Sequence, residues 1–135
     1  MIQIKKALRL SNTNYCKAHL SIVNCILPEK MTPKEIEVVA CFMALDGSLE
    51  HYRFNSIGRK IVMDKLDISP GGLSNYIKSL LEKGFLVREN KITKILPLLI
   101  PEKTEQIYLL KLINTEDGTT EQDTTSREES KGVTT

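Results

Sequence analysis

The stretch LDISPGGLSNYIKSLLEKGFLV, residues 66–87, predicts a tight turn, a helix and the start of a strand in direct succession. Ser69 is a favoured N-cap residue, and Pro70 suits the first helical position. Gly84 ends the helix, and the residues after it alternate between apolar and polar in the manner of a strand. The apolar residues of the helix recur at steps of three and four, which predicts one inner face made of Leu73, Ile77, Leu80 and Leu81.

A second helix is expected just before this turn. Asn55 or Ser56 can cap it, and the helix reaches Leu66. Residues 52–54, which precede the cap, are interpreted as a small strand. The predicted inner face of the helix consists of Ile57, Ile61, Val62 and Leu66. The predicted outer face carries the basic residues Arg59, Lys60 and Lys65.

Two more helices are expected nearer the N-terminus. Thr32, Pro33 and Glu35 form the pattern of a capping box, followed by a helix that should stop at Gly47. Residues 14–27 predict an amphipathic helix, and residues 2–8 before it are interpreted as a short extended piece. The apolar residues assigned to the first helix are Tyr15, Ala18, Ile22, Val23, Ile26 and Leu27.

The region after Gly84 is predicted to form a hairpin. Residues 85–88 and 92–96 alternate as strands do, and residues 89–91 form a polar tip between them. Beyond Pro97 and Pro101, residues 106–113 are interpreted as a third strand in preference to a short helix.

The charge of the chain differs between its two parts. The chain has 135 residues, 41% of them hydrophobic, which suffices for one compact domain with its own core. Residues 1–113 contain 17 basic and 11 acidic side chains, a net charge of +6. Residues 114–135 contain 2 basic and 6 acidic side chains, a net charge of −4, and one aliphatic residue, Val133. They are expected to form a disordered acidic tail because they cannot bury enough apolar surface to fold.

Composition also favours a cytoplasmic protein without a membrane partner. The apolar run of residues 95–100 is interrupted by Pro97, and like every other apolar run of the chain it is far shorter than the roughly 20 residues of a membrane helix. Charges near the N-terminus precede any apolar region of a secretory signal. Cys16, Cys25 and Cys41 are odd in number and contain no C-x-x-C pair, which indicates reduced, buried thiols.

The order of helix, small strand, helix, tight turn, helix and hairpin, together with residues 66–87, resembles the winged helix-turn-helix family. The similarity is to its MarR-like or phage and plasmid replication-regulator forms, and it covers residues 31 to about 100. The implied fold class is mainly α with a small β-hairpin wing, an α+β fold. The implied organisation is an N-terminal extension with one helix over residues 1–30, a winged-helix domain over residues 31–113, and the tail over residues 114–135.

The resemblance implies DNA-contacting residues on both helices of the pair and on the hairpin. Asn75 is expected to pair with an adenine edge, Ser74 and Tyr76 to donate to phosphate or base, and Lys78 to meet the phosphate backbone. No Arg lies on this face, so we expect modest, A/T-biased specificity. Arg53 and Lys65 are expected to add charge beside the first helix of the pair. The predicted site residues are Arg59, Lys60, Ser69, Gly71, Gly72, Ser74, Asn75, Tyr76, Lys78, Arg88, Lys91 and Lys94.

The resemblance favours a DNA-binding protein that acts in transcriptional regulation, with double-stranded DNA as its partner. One alternative is a phage or plasmid replication accessory protein. Another is a winged helix used as a protein-docking module of a virion or of an inhibitory factor, suggested by Gly71 and Gly72, where the family usually has Ser or Thr. A homodimer through the N-terminal helix is also expected.

No catalytic motif is visible, so an enzyme is not expected. The sequence contains no Gly-rich phosphate loop, no G-x-S-x-G elbow and no H-E-x-x-H helix. Cys16 and His19 form a C-x-x-H fragment, but no second ligand pair follows at metal-finger spacing. We therefore expect neither a metal nor a cofactor.

Overall fold

The computed structural model of the protein describes residues 2–45 and 47–117, and within them it contains four α-helices followed by one antiparallel hairpin. The helices are α1 (Asn12–Asn24), α2 (Pro33–Met43), α3 (Ser56–Leu66) and α4 (Pro70–Glu82). The hairpin strands are β1 (Leu86–Glu89) and β2 (Ile92–Ile95). Short 3-10 turns cover Gly47–Tyr52, Pro97–Leu99 and Thr115–Asp117. The prediction of a mainly helical chain with a small hairpin is confirmed, while residues 118–135 of the expected tail lie outside the described residues.

The predicted caps of α2 and α4 are confirmed. The Glu35 backbone N–H donates to the Thr32 hydroxyl at 3.2 Å, and the Thr32 backbone N–H donates to the Glu35 carboxylate at 2.8 Å, which completes the capping box. The Gly72 N–H donates to the Ser69 hydroxyl at 3.0 Å, with Pro70 in the first turn of α4. Local sequence signals therefore set where both helices begin.

The core lies between α2 and the elements that surround it. α1 packs along α2, α3 and α4 contact α2 and each other, and β1 packs against α4. The rings of Phe42 and Phe54 stack with centroids 4.2 Å apart. Buried side chains from α1 to Leu99 belong to one hydrophobic cluster, so the predicted N-terminal extension shares its core with the rest of the chain.

The buried face of α1 differs from the predicted one. It consists of Cys16, His19, Leu20 and Val23, of which only Val23 was predicted. The helix ends at Asn24 and not at residue 27; beyond its end Leu27 is buried as predicted, whereas Ile26 is 74% exposed. The partner helix α2 selects this stripe, and it includes a histidine that a purely apolar pattern omits. Cys25 is exposed, so the expectation of three buried thiols is wrong for that residue. The homodimer through this helix stays a prediction, but the helix already buries one face against α2.

The segment before α3 is not a strand. Residues 47–52 form a 3-10 turn, and the Arg53 guanidinium donates to the carbonyls of Phe42 and Met43 at 3.1 and 2.9 Å. Arg53 thus satisfies carbonyls at the C-terminal end of α2, which stops at Met43 and not at Gly47. One guanidinium nitrogen of Arg53 is therefore occupied within the protein, and the expectation that Arg53 adds charge beside α3 stays a prediction.

The predicted inner face of α3 is confirmed except at Ile57. Val62 is buried and Ile61 and Leu66 pack against the core, whereas Ile57 is 64% exposed. Gly58, which was not predicted to lie on this face, is also buried. Gly58 lies directly against the backbone of Arg53, so the helix approaches the preceding loop where it has no side chain. The apolar pattern of the sequence could not predict this close approach, because Gly58 has no apolar side chain to mark it.

The hairpin agrees with its prediction, but the strand expected after it is wrong. β1 and β2 pair from Leu86 with Ile95 to Glu89 with Ile92. Asn90 and Lys91 form the two-residue turn with φ of 52° and 67°, the signs of a type I′ turn. Residues 106–113 form neither strand nor helix, since no neighbouring strand of the described chain pairs with them. Among the described residues, no helix has both the length and the apolar character to cross a membrane.

Candidate nucleic-acid interface

The turn between α3 and α4 fixes which side of α4 faces outward. Asp67 adopts the left-handed conformation with φ of 53°, and the Ile68 N–H donates to the Met63 carbonyl at 3.1 Å. α4 begins at Pro70, three residues after Asp67, so the two helices are joined closely. Leu73, Ile77 and Leu80 are buried. The opposite side of α4 is therefore held toward solvent.

The outward face of α4 carries polar groups that are available to a ligand. Ser74, Asn75 and Lys78 are exposed, and no hydrogen bond or ion pair from the described residues involves the side chain of Asn75 or Lys78. Asn75 offers a donor and an acceptor side by side, and Lys78 offers a positive charge. Gly71 is exposed with open space where a Cβ would stand, so the helix N-terminus can be approached closely.

Three other predicted site residues at the start of α4 are less available to a ligand, because they are buried in part or already hydrogen-bonded. The Ser69 hydroxyl accepts the cap hydrogen bond from Gly72, which is half-buried. Tyr76 is half-buried and packs against the hydrophobic core. These residues support the shape of the α4 N-terminus, while the polar contacts available at its surface come from Ser74, Asn75 and Lys78.

Of the two predicted site residues on α3, Lys60 is more available to a ligand than Arg59. Arg59 is half-buried, and its Nε donates to the Phe54 carbonyl at 2.8 Å. Lys60 is well exposed and lies 3.7 Å from the Asp64 carboxylate, one helical turn further on. An exposed pair of this kind contributes little to stability, so the Lys60 ammonium can turn to another anion at small cost.

The hairpin separates its basic residues. In the register of the strands, Arg88 lies opposite Thr93 and Lys94 lies opposite Val87. Arg88 and Lys94 therefore belong to cross-strand pairs on opposite faces, because successive side chains of a strand alternate. Lys94 pairs with Glu89 at 3.1 Å, while Arg88 and Lys91 are exposed at the tip. A ligand that contacts the tip would meet Arg88 and Lys91.

A cleft of about 450 Å³ lies beside β2, and Lys94 is part of its wall. Two of its polar side chains already have partners within the protein: the Tyr15 hydroxyl donates to the Glu102 carbonyl at 2.8 Å, and the Asn12 amide donates to the Ala44 carbonyl at 3.3 Å. Burial raises the pKa of the Cys16 thiol against the opposing effect of the Arg53 charge. The thiol is therefore kept protonated and poorly nucleophilic. The cleft is lined by Asn12, Tyr15, Cys16, Met43, Arg53, Phe54, Ile92, Thr93, Lys94, Ile95, Pro97, Ile100, Pro101, Glu102 and Lys103.

A buried polar network, which the sequence pattern did not reveal, holds α4 against α2. Glu35 is only 3% exposed, and its carboxylate accepts from the Ser79 hydroxyl at 2.6 Å and from the Lys83 ammonium at 2.8 Å. Burial alone would raise the pKa of Glu35, but the hydrogen bonds from Lys83, Ser79 and Thr32 outweigh it and keep the pKa below its ordinary value. The charged network therefore fixes the C-terminal end of α4 to the N-terminal end of α2.

The described residues contain no group of three His, Cys, Asp or Glu side chains placed to hold a metal ion. Comparisons with protein-family models, with curated proteins and with solved structures found no match.

Proposed function

We propose that this chain is a winged-helix DNA-binding protein that acts in transcriptional regulation. α3 and α4 would form the helix-turn-helix, with α4 in the major groove and the β1–β2 hairpin as the wing. The observation that carries the proposal is the outward face of α4, where Ser74, Asn75 and Lys78 are exposed while the opposite face is buried. A helix of this kind, directly followed by a short hairpin with basic residues at its tip, is suited to duplex DNA.

Electrostatics supports a large phosphate contribution to affinity. The net charge of residues 1–113 is +6 because 17 basic side chains outnumber 11 acidic ones. Lys60, Lys78, Arg88 and Lys91 are exposed in or beside the proposed interface. Each cation that neutralises a phosphate releases counterions, so binding should weaken steeply as salt is added.

Sequence readout would depend mainly on Asn75. Its amide can form two hydrogen bonds with an adenine edge in the major groove. The outward face of α4 has no Arg, which is the residue most often used to read guanine. The proposed specificity is therefore modest and biased toward A/T sequences.

The first prediction concerns the Asn75→Ala, Lys78→Ala double variant. We expect its affinity for duplex DNA to fall by about 30-fold or more, since a base contact is worth about 1–3 kcal/mol and a phosphate contact is also lost. The slope of log K against log salt should decrease by about 1. Fluorescence anisotropy at two salt concentrations measures both quantities, using duplexes selected from a random pool by the wild-type protein.

The matched control is Asn14→Ala with Lys17→Ala. These residues have the same types and the same spacing on α1, which lies outside the proposed interface. The control should bind like the wild type. Equal binding by the α4 double variant, with unchanged thermal unfolding, would contradict the proposed role of α4.

A protein-docking function is the second candidate. It is favoured by the large apolar side chains exposed at both ends of the described chain, such as Ile4 at 88% and Leu109 at 96%. A docking module would show no measurable affinity for random duplex DNA at low salt. The replication accessory alternative shares the same DNA-binding surface and differs in its target, so selection from the random pool addresses it as well.

A further prediction concerns the acidic segment, residues 114–135, with its net charge of −4. If this segment competes with DNA phosphates for the basic side chains of residues 1–113, replacing its Asp and Glu residues by Asn and Gln should tighten duplex binding by about 5-fold at low salt. The gain should shrink near 1 M salt, where the Debye length is about 3 Å. A variant with the Thr and Ser residues of the segment replaced by Ala keeps the charge and serves as the control. Unchanged affinity of the neutralised variant at low salt would exclude this competition.

A further inference from the structure

Two segments at the ends of the described chain expose nearly all of their apolar side chains. We define the N-arm as residues 2–10 and the C-arm as residues 105–113. Leu109 and Leu112 in the C-arm are 96% and 95% exposed. Large exposed apolar patches on a protein surface usually mark a contact with another molecule. The remaining large apolar residues exposed in the two arms are Ile2, Ile4, Leu8, Leu10, Ile107, Leu110 and Ile113.

The backbone of the arms is also without partners. Among the described residues, no backbone–backbone hydrogen bond involves residues 2–10 or 105–113. The sequence of residues 106–113 nevertheless has the apolar and β-branched character of a strand. An extended segment with unpaired N–H and C=O groups is a ready template for pairing with another strand.

The C-arm is anchored at one point on the body of the protein. The hydroxyl of Tyr108 lies 2.5 Å from Nδ1 of the buried His19, and the Tyr15 hydroxyl donates to the Glu102 carbonyl at 2.8 Å. α1 therefore holds the C-arm at Tyr108 and the chain just before it at Glu102, while Ile107 and Leu109 on either side of Tyr108 remain exposed. The C-arm presents a fixed apolar surface to a partner.

The exposed area matches what a dimer needs. Burial of a whole Leu or Ile side chain contributes about 1.5–3 kcal/mol of free energy. At about 25 cal/mol per Å² of apolar surface, this energy corresponds to a buried area of about 60–120 Å² per side chain. Weighted by their exposed fractions, the nine residues offer about 400–800 Å² per chain. A standard interface buries about 800 Å² per partner, of which about 60% is apolar. The two arms together can supply that apolar area.

Charge indicates which arms pair. The N-arm carries Lys5, Lys6 and Arg9 and no acidic residue, a net charge of +3. Residues 105–117, the C-arm and the turn after it, carry one basic and three acidic residues, a net charge of −2. Two N-arms would repel each other. The C-arm itself carries Glu105 and Lys111 and is neutral, so its attraction for an N-arm comes from Glu116 and Asp117 in the turn after it. Pairing of unlike arms is therefore favoured.

We propose that this protein forms a homodimer in which the N-arm of each copy pairs with the C-arm of the other. The exchange is reciprocal, so a two-fold axis relates the copies and the assembly closes at two chains. Each contact adds backbone hydrogen bonds to the burial of apolar side chains. The dimer does not depend on DNA binding, and its mass is measured in the absence of DNA.

The test is sedimentation equilibrium of the full chain. We expect a mass twice 15.3 kDa at micromolar concentrations for the wild type. Leu109→Glu with Leu112→Glu should weaken the dimer by at least about 100-fold, because two buried apolar contacts are replaced by charges. The fold should persist since both side chains lie outside the core. Ile57→Glu, which changes a side chain exposed on α3, is the control and should stay dimeric.

Hydrogen exchange of the arm amides provides a second measurement. Residues 107–113 should be protected in the wild-type dimer and exchange freely in the Leu109→Glu, Leu112→Glu variant. A monomeric wild type overturns the proposal, including the case in which the arms are protected because they pair within one chain. A double variant that remains dimeric with cooperative unfolding also overturns it, since the interface would then lie elsewhere.

Discussion

The Gly58→Ala variant is expected to lose about 3 kcal/mol or more of its free energy of unfolding. A Cβ at this position would clash with the carbonyl oxygen of Arg53 and lie 2.6 Å from its carbonyl carbon. These are backbone atoms, so no side-chain rotation can relieve the clash. The loop cannot retreat easily, because Arg53 holds the end of α2 and its neighbour Phe54 stacks on Phe42. Urea denaturation followed by circular dichroism measures the loss.

Gly71→Ala is the matched control for this substitution. Gly71 is also in a helix, but no atom lies within 4 Å of the position that a Cβ would take. Alanine at this site should stabilise the protein by about 0.5 kcal/mol, since it has the higher helix propensity and reduces the entropy of the unfolded chain. Equal effects of the two substitutions would refute the close contact between α3 and the Arg53 loop.

The sequence predicted the starts of helices better than their buried faces. The starts of α2 and α4 follow from signals within four residues, such as the capping box at Thr32 and the Ser69–Pro70 pair, and both agree with the structure. The buried sides of α1 and α3 depend on which helix packs against them. The apolar pattern therefore placed Ile26 and Ile57 inside, where the structure exposes both.

The candidate interface was predictable to a similar degree. The outward face of α4 follows from its apolar inner face, so the exposure of Asn75 and Lys78 agrees with the pattern. The pairing of Lys94 with Glu89 depends on strand register, and the Arg59 bond to Phe54 depends on a loop conformation. Neither can be inferred from residue spacing alone. The sequence predicts the face of a helix more readily than the partners of long charged side chains.

The buried carboxylate of Glu35 should contribute strongly to stability. Glu35→Ala is expected to lower the free energy of unfolding by about 3 kcal/mol, because it removes the capping box and leaves the Lys83 ammonium and the Ser79 hydroxyl without their buried partner. The control is Glu37→Ala. Glu37 pairs with Lys34 at 2.9 Å near the surface, and its removal should cost less than about 1 kcal/mol. Similar losses for both variants would show that burial of the network contributes nothing.

The same network predicts how stability depends on pH. Because the hydrogen bonds keep the folded-state pKa of Glu35 below its ordinary value of 4.5, the unfolded chain binds the proton more readily than the folded protein. The stabilisation is therefore complete above about pH 4.5 and is lost as the pH falls through the folded-state pKa. Glu35→Gln cannot ionise, so its stability should decline less than that of the wild type over this range.

Denaturation curves at pH 7 and at pH 3 measure that difference. The gap in stability between the wild type and Glu35→Gln should narrow at the lower pH, because below pH 4.5 the unfolded wild-type chain takes up a proton on Glu35 more readily than the folded protein does. A constant gap would mean that the Glu35 charge does not contribute and that only the shape of the side chain matters. Since Glu35 joins α2 to Ser79 and Lys83 at the end of α4, loss of its charge should also loosen the orientation of the helix that presents Asn75 and Lys78. Duplex binding by Glu35→Gln at pH 7 should then weaken even though every proposed DNA-contacting residue is intact.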